Sequence, residues 1–244
     1  MRIDVLTLFP EAFETILKVS IVQRARQKGL LQVVLTNIRD FALDNYRSID
    51  DKPYGGGPGM VMMCQPIFDC LQQVEAVDPL KGRRILLTPQ GQPFTQSLAG
   101  ELAQDERLIL IAGRYEGFDE RIRIALKPLE LSIGDYVLSG GEIPAMVIID
   151  AVTRLLPGAL GDETSVEQES FTAGLLEYPQ YTRPEVFRDL RVPEILLSGH
   201  HAKIEEWRSR QARERTTQRR PDLLPGPSNS KQEKQSDCQD NRKS

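Results

Sequence analysis

Leu131 to Pro144, LSIGDYVLSGGEIP, sets the frame for the whole chain. An apolar start at Leu131 and Ile133 runs into Gly134. A short aliphatic segment follows at Tyr136, Val137 and Leu138, and Ser139-Gly140-Gly141 then precedes a helix start at Glu142 and Pro144. Glycine in regular structure costs about 0.5 to 1 kcal/mol, so glycines clustered between apolar runs mark backbone that turns sharply or approaches a ligand closely. The stretch reads as a binding wall.

Upstream, Ile3 to Phe9, Leu31 to Leu35, Arg84 to Leu87 and Leu108 to Ala112 read as strands. Helical periodicity lies between them, at Phe13, Ile16 and Leu17, over Ile21 to Lys28, over Pro66 to Val77, and from a cap at Thr95 through Leu102. Thr88 to Pro93 and Gly113-Arg114-Tyr115-Glu116-Gly117 are loops that follow strands, and Asp119 to Ala125 is a further helix. Strand, glycine-bearing loop and helix recurring about every 25 residues fit βα units and a parallel sheet. Ligands of such sheets bind beyond the carboxyl ends of the strands, so the three loops are expected to share one site. Arg39 to Lys52 is polar and leads into Pro53-Tyr54-Gly55-Gly56-Gly57-Pro58-Gly59, read as a functional loop lying on the body.

Downstream, Ala145 to Leu156 reads as a buried helix that ends at Pro157-Gly158. Leu160 to Gly174 has no apolar periodicity and reads as a linker. Tyr178 to Pro184 is a stiff connection, Glu185 to Leu190 a short helix and His200 to Arg220 a long helix with Trp207. Beyond Pro221, proline, serine, lysine and glutamine dominate, as in disordered tails. The boundaries expected are 1–159 for the main domain, 160–175 for the linker, 176–224 for a small, mainly helical domain and 225–244 for the tail.

Residues 1–182 hold 17 Lys/Arg against 25 Asp/Glu, whereas residues 183–220 hold 10 against 6. A basic appendage on an acidic body suits a polyanionic partner. Cys64, Cys70 and Cys238 form no CxxC pair, and the adjacent His200 and His201 lack ligands at zinc spacing, so neither a disulfide framework nor a metal site follows. No apolar run is long enough to span a membrane, and the start MRIDVLTLFP carries no leader pattern, which predicts a cytosolic protein. The loops match neither GxGxxG nor GxxxxGK[ST], which disfavours a dinucleotide or nucleoside triphosphate. Main-chain groups from three loops over apolar floors at Leu87, Ile133 and Leu138 suit a compact nucleoside without phosphates, S-adenosylmethionine among them.

Leu6 to Pro10, Asp51 to Met63 (DKPYGGGPGMVMM), Pro89-Gln90-Gly91, Gly113 to Gly117, Ser132 to Pro144 and Tyr181-Thr182-Arg183-Pro184-Glu185 together resemble the bacterial tRNA (guanine-N1)-methyltransferase family, TrmD, in one register over about residues 1–225. The resemblance implies an α/β fold of the SPOUT type, a trefoil-knotted parallel sheet, in an obligate homodimer whose active sites are shared between subunits. It implies methyl transfer from S-adenosylmethionine to N1 of guanine 37 in tRNA. Leu87, Gly113, Tyr115, Glu116, Ile133, Gly134, Asp135, Tyr136, Val137, Leu138, Gly140 and Gly141 would form or adjoin the cofactor pocket. A magnesium requirement is implied without an identifiable site.

Guanine N1 carries a proton at neutral pH and needs a base before it can act as a nucleophile, while the charge that moves to O6 needs a cation. By similarity Arg154 is that cation. The base falls at Glu169, where the family pattern has an aspartate; Asp162, Glu163 and Glu167 are alternatives. Arg183, Arg188, Lys203, Arg208, Arg210, Arg213, Arg215, Arg219 and Arg220 are candidates for phosphate contacts. The runner-up function is a non-catalytic RNA-binding protein that retains a nucleoside pocket.

Overall fold

Continuous aliphatic runs suit strands covered on both faces, the usual condition of a parallel sheet. The computed structural model, which describes residues 1–160, 169–171 and 174–224, carries these runs at its centre. In chain order the first unit contains β1 (Arg2–Thr7), α1 (Glu14–Leu17), α2 (Ser20–Gln27), β2 (Gln32–Asn37), β3 (Asp50–Asp51), β4 (Val61–Met62) and α3 (Cys64–Val77). It continues with β5 (Arg83–Pro93), α4 (Gln96–Leu102), β6 (Arg107–Ala112), α5 (Glu120–Leu126), β7 (Leu129–Ser132) and α6 (Glu142–Arg154). β2, β1, β6, β5 and β7 lie side by side in that order, and every pairing is parallel. Expectation and structure agree on an α/β chain with a parallel central sheet.

Alternation along the strands sorts the core into two halves. Ile3, Val5, Leu108, Leu110, Ile85 and Leu87 face a cluster shared with α2 and α6. Leu6, Ile109, Ile111 and Leu86 face the other side, where α3 and α5 supply Ile67, Cys70, Leu71 and Ile122. All six residues of β6 are buried. Local caps agree with the sequence: Thr95 Oγ1 accepts the Leu98 N–H, and the Asp119 side chain accepts the Arg121 N–H, so each opens its helix by satisfying a free donor.

The amino-terminal end of the sheet is closed by a buried ion network. Arg107, on β6, donates to Asp4 Oδ2 at 2.8 Å and to the carbonyls of Val74, Asp78 and Leu80. Arg2 also grips Asp4 and reaches Asp78. Asp4 and Arg107 are almost wholly buried, and burial of both is tolerable because their polar atoms are paired.

Two expectations need correction. Thr88 to Pro93 is not wholly loop: β5 continues to Pro93, and Leu87 and Gln92 both align with Leu131, so the residues between them bulge out of the ladder. Glu185 to Leu190 is not a helix. Val186–Phe187 and Leu190–Arg191, β8 and β9, form an antiparallel pair joined at Arg188 and Asp189, whose φ angles are 46° and 63°. Two successive left-handed residues give the turn whose twist matches paired strands.

The chain divides into two compact units, Met1–Glu163 and Thr164–Ser244. The second contains the β8–β9 pair, a short helix at Glu194–Leu197 and the helix His201–Arg219. Residues 225–244, read as the tail, and most of the expected linker lie outside the described residues.

Candidate functional site

Toward the carboxyl ends of β5, β6 and β7 lies a cavity of about 190 Å³, open on one side. Leu87 to Gln90 wall it from the bulged middle of β5, Gly113 to Phe118 from the loop after β6, and Leu131 to Gly134 with Tyr136 to Gly141 from the end of β7 and the loop that follows. Of the residues expected at the cofactor, Leu87, Gly113, Tyr115, Glu116, Ile133, Gly134, Tyr136, Val137, Leu138, Gly140 and Gly141 are brought together on its walls. Asp135 is not among the lining residues.

The loops are shaped by close backbone approach. Gly141 donates its N–H to the Gly113 carbonyl at 2.8 Å, and a Cβ there would fall 2.7 Å from Ala112 Cα and 2.8 Å from Gly113 N. Only glycine lets the β7 loop lie this close to the β6 loop. Arg114 and Gly140 add an antiparallel bridge between the same loops. Tyr115 takes φ 60°, a conformation held in place when Gly117 N–H binds the Arg114 carbonyl and Glu116 N–H the Met60 carbonyl.

The glycine-rich loop before β4 is part of this support. Met62 N–H donates to Gly117 O at 2.9 Å, Asp119 N–H donates back to Met62 O, and a Cβ on Gly59 would collide with the Glu116 side chain. The end of the loop, from Gly59 to Met62, therefore braces the wall that carries Tyr115 and Glu116, whereas Tyr54 to Pro58 is exposed. Tyr54, at its tip, is almost fully exposed.

Sequence reading missed a second brace. Glu142, the first residue of α6, is 3% exposed; its carboxylate accepts from Thr7 Oγ1 at 2.9 Å and from Arg114 Nε at 3.0 Å. The helix N-terminus favours this charge. The Arg114 guanidinium also sits over the Phe9 ring at 4.5 Å. An acidic residue at a helix start was legible, but nothing local in the sequence joins it to residues 7 and 114. Arg123, likewise unforeseen, reaches the cavity while bound to Glu130 and, at 3.4 Å, to Thr88.

Around the site, the Arg121 guanidinium holds the Asp119 carboxyl well below the usual carboxylate range. Burial, followed by the nearby Asp119, raises the Cys64 thiol. Burial pushes the Cys70 thiol up to about 12. Among the described residues no group of three or more His, Cys, Asp or Glu is placed to hold a metal ion.

The two residues expected to do chemistry belong to different units. Arg154 is the last residue of α6. Glu169 lines a groove in the second unit together with Tyr178, Arg208 and Arg213. Asp162, Glu163 and Glu167 lie outside the described residues.

Fold and cavity define an α/β protein with a parallel central sheet and a glycine-lined cavity toward the carboxyl ends of its strands. Residues 1–226 match the family described as tRNA (Guanine-1)-methyltransferase TrmD, and the chain belongs to that family. A protein named tRNA (guanine-N(1)-)-methyltransferase from Moorella thermoacetica is 59% identical over 228 residues, 92% of this chain and 90% of its own. Proteins of the same name from Heliobacterium modesticaldum and Pseudomonas putida are 57% and 55% identical, over 93% and 96% of this chain and 85% and 94% of their own.

Proposed function

We propose that the chain is a tRNA methyltransferase that transfers the methyl group of S-adenosylmethionine to N1 of guanine 37. Family membership over nearly the whole chain is the observation that carries this reading. The cavity fits the donor's chemistry. Its lining combines the apolar side chains of Leu87, Leu131 and Leu138, the glycines Gly113, Gly134 and Gly140, which leave backbone open to close approach, and the carboxylate-bearing Glu116, a residue type suited to a cationic ligand. When bound, the donor presents an electrophilic methyl group.

The protein groups then have separate tasks. Glu169 removes the N1 proton, which makes the guanine nitrogen a nucleophile, and Arg154 offsets the negative charge that shifts to O6. The extra methylene of Glu169, relative to the family's aspartate, moves the carboxylate by roughly one ångström, a distance that matters to an oriented reaction. The reading also includes a trefoil-knotted main domain over 1–159, a linker over 160–175, a tRNA-binding domain over 176–224, a homodimer, and a cytoplasmic location. Magnesium belongs to it without assigned ligands. Among the described residues no helix is long and apolar enough to cross a membrane.

Incubation with radiolabelled S-adenosylmethionine and tRNA transcripts carrying guanine or adenine at position 37 tests the assignment. Label should enter only the guanine transcript. Cofactor binding without transfer to either would instead support a non-catalytic RNA-binding protein. Glu169→Gln should bind the cofactor normally and lose about 100- to 10,000-fold in transfer rate, the usual contribution of a positioned base.

A further inference from the structure

Glu169 stands at the start of a short segment that is hydrogen-bonded to residues 175–177, and these in turn to the basic helix. Ser170 Oγ accepts the Glu177 N–H at 3.0 Å, and Phe171 N–H donates to the Leu175 carbonyl at 2.8 Å. The returning strand is in turn fastened to His201–Arg219. Thr216 Oγ1 accepts the Leu176 N–H at 2.8 Å, and Arg215 reaches the Glu177 carbonyl at 3.3 Å. Thr216 is fully buried, and its hydroxyl hydrogen is used as well, on the Ala212 carbonyl at 2.7 Å. The Arg208 guanidinium lies 4.8 Å from the Tyr178 ring centre, at the far end of the same segment.

A buried threonine in mid-helix commonly turns its hydroxyl back onto the carbonyl one turn earlier, with no further role. Here the same oxygen also accepts from a chain segment 40 residues away, so the hydroxyl donates and accepts at once. From Thr216 the connection runs through Leu176 and Glu177 to Ser170, the neighbour of Glu169. No apolar side chain could replace that hydroxyl without removing the partner of the partly buried Leu176 N–H.

We infer that Thr216 is a positioning residue for the methyl-transfer reaction: through the Leu176–Glu177–Ser170 hydrogen bonds it fixes the segment from which the Glu169 carboxylate reaches the guanine. This rests on Glu169 being the base. The helix thereby has a second task besides offering positive charge, since it is the mount that sets where the base stands. Thr216→Val keeps the shape of the side chain and removes the hydroxyl; Thr216→Ser keeps the hydroxyl.

The test is single-turnover methyl transfer by the full-length protein to a guanine-37 tRNA transcript, with cofactor and tRNA affinities and thermal melting measured alongside. Thr216→Val should slow transfer about 10- to 100-fold, in line with a base displaced by about an ångström, while both affinities stay within about twofold. Thr216→Ser should remain within about threefold of the parent. Once the base is gone its position no longer matters, so Glu169→Gln combined with Thr216→Val should be no slower than Glu169→Gln alone. Equal, independent losses in that double variant, or tRNA affinity falling in step with rate, would assign Thr216 to stability alone and overturn the inference. A Thr216→Val protein as fast as the parent overturns it too. Near-normal transfer by Glu169→Gln would instead remove the base assignment, a result distinguishable from either.

Discussion

The two ends of the central sheet are built on different principles. At the amino-terminal end Arg107 and Asp4 are buried and saturated with partners, and Arg107 ties β6 to β1, to the last turn of α3 and to the segment that follows it. At the carboxyl-terminal end glycines bring backbones together, Tyr115 is held at positive φ, and Tyr136 and Val137 are exposed. Both ends hold a buried carboxylate paired with an arginine, but the first saturates it to tie strands together, while the second sets it beside glycine contacts and an open cavity. Stability and ligand binding are thus separated by the length of a strand, and substitutions at the two ends should fail in different ways.

Arg107→Ala should produce the largest effect. It leaves Asp4 held by Arg2 alone and takes the donor from the carbonyls of Val74, Asp78 and Leu80, so unfolding free energy should drop by about 3 kcal/mol or more in denaturant titrations. Whatever fraction stays folded should bind S-adenosylmethionine as the parent does, and a selective loss of affinity with unchanged stability would break the contrast. Gly141→Ala should do the reverse. The added methyl group meets the backbone of Ala112 and Gly113, and forcing those loops apart costs about 1 to 3 kcal/mol. Calorimetry should show cofactor affinity weakened by up to about 100-fold, with the melting temperature lowered less than by the arginine change.

A smaller effect should appear in alkali. The Cys70 thiol, pushed up to about 12 by burial, stays protonated in the folded protein after it ionises in the unfolded chain. Its contribution is complete below about pH 9 and declines as pH rises toward 12, reaching a loss of about 1 kcal/mol near pH 10. Cys70→Ala should therefore start less stable, because it opens a cavity, but lose less stability than the parent between pH 8 and 10. Parallel losses in the two proteins would show that the thiol stays out of this titration.

The amino-terminal half of this comparison was hardly legible in the sequence. Nothing in the sequence singles out Arg107 or Asp4, and a network with partners at residues 2, 74, 78 and 80 has no local signature. The carboxyl-terminal loops were easier to read, because glycine clusters after aliphatic runs report a local backbone demand that holds whatever the strand order. The same locality explains the errors. Val186, Phe187 and Leu190 have a spacing that a helix could also use, and the turn between them carries Arg188 and Asp189, with no glycine to announce its positive φ angles. Asp135 came to the cofactor set only through the resemblance, and it is not among the residues that line the cavity. Thr216 gave no signal, since its importance arises from a partner 40 residues upstream.

The Glu142 carboxylate has one more consequence, for the order in which the protein is made. It joins Thr7, at the end of the first strand, to Arg114, in the loop after the fourth strand of the main sheet to be synthesised, and it arrives only with α6. During synthesis the strands can pair and the arginine network can close while this joint is still missing. The cavity wall cannot take its final form until residue 142 has emerged. The scaffold therefore matures before the binding site, and a ribosome-bound chain that stops short of α6 would be a nearly complete sheet with no place for the ligand.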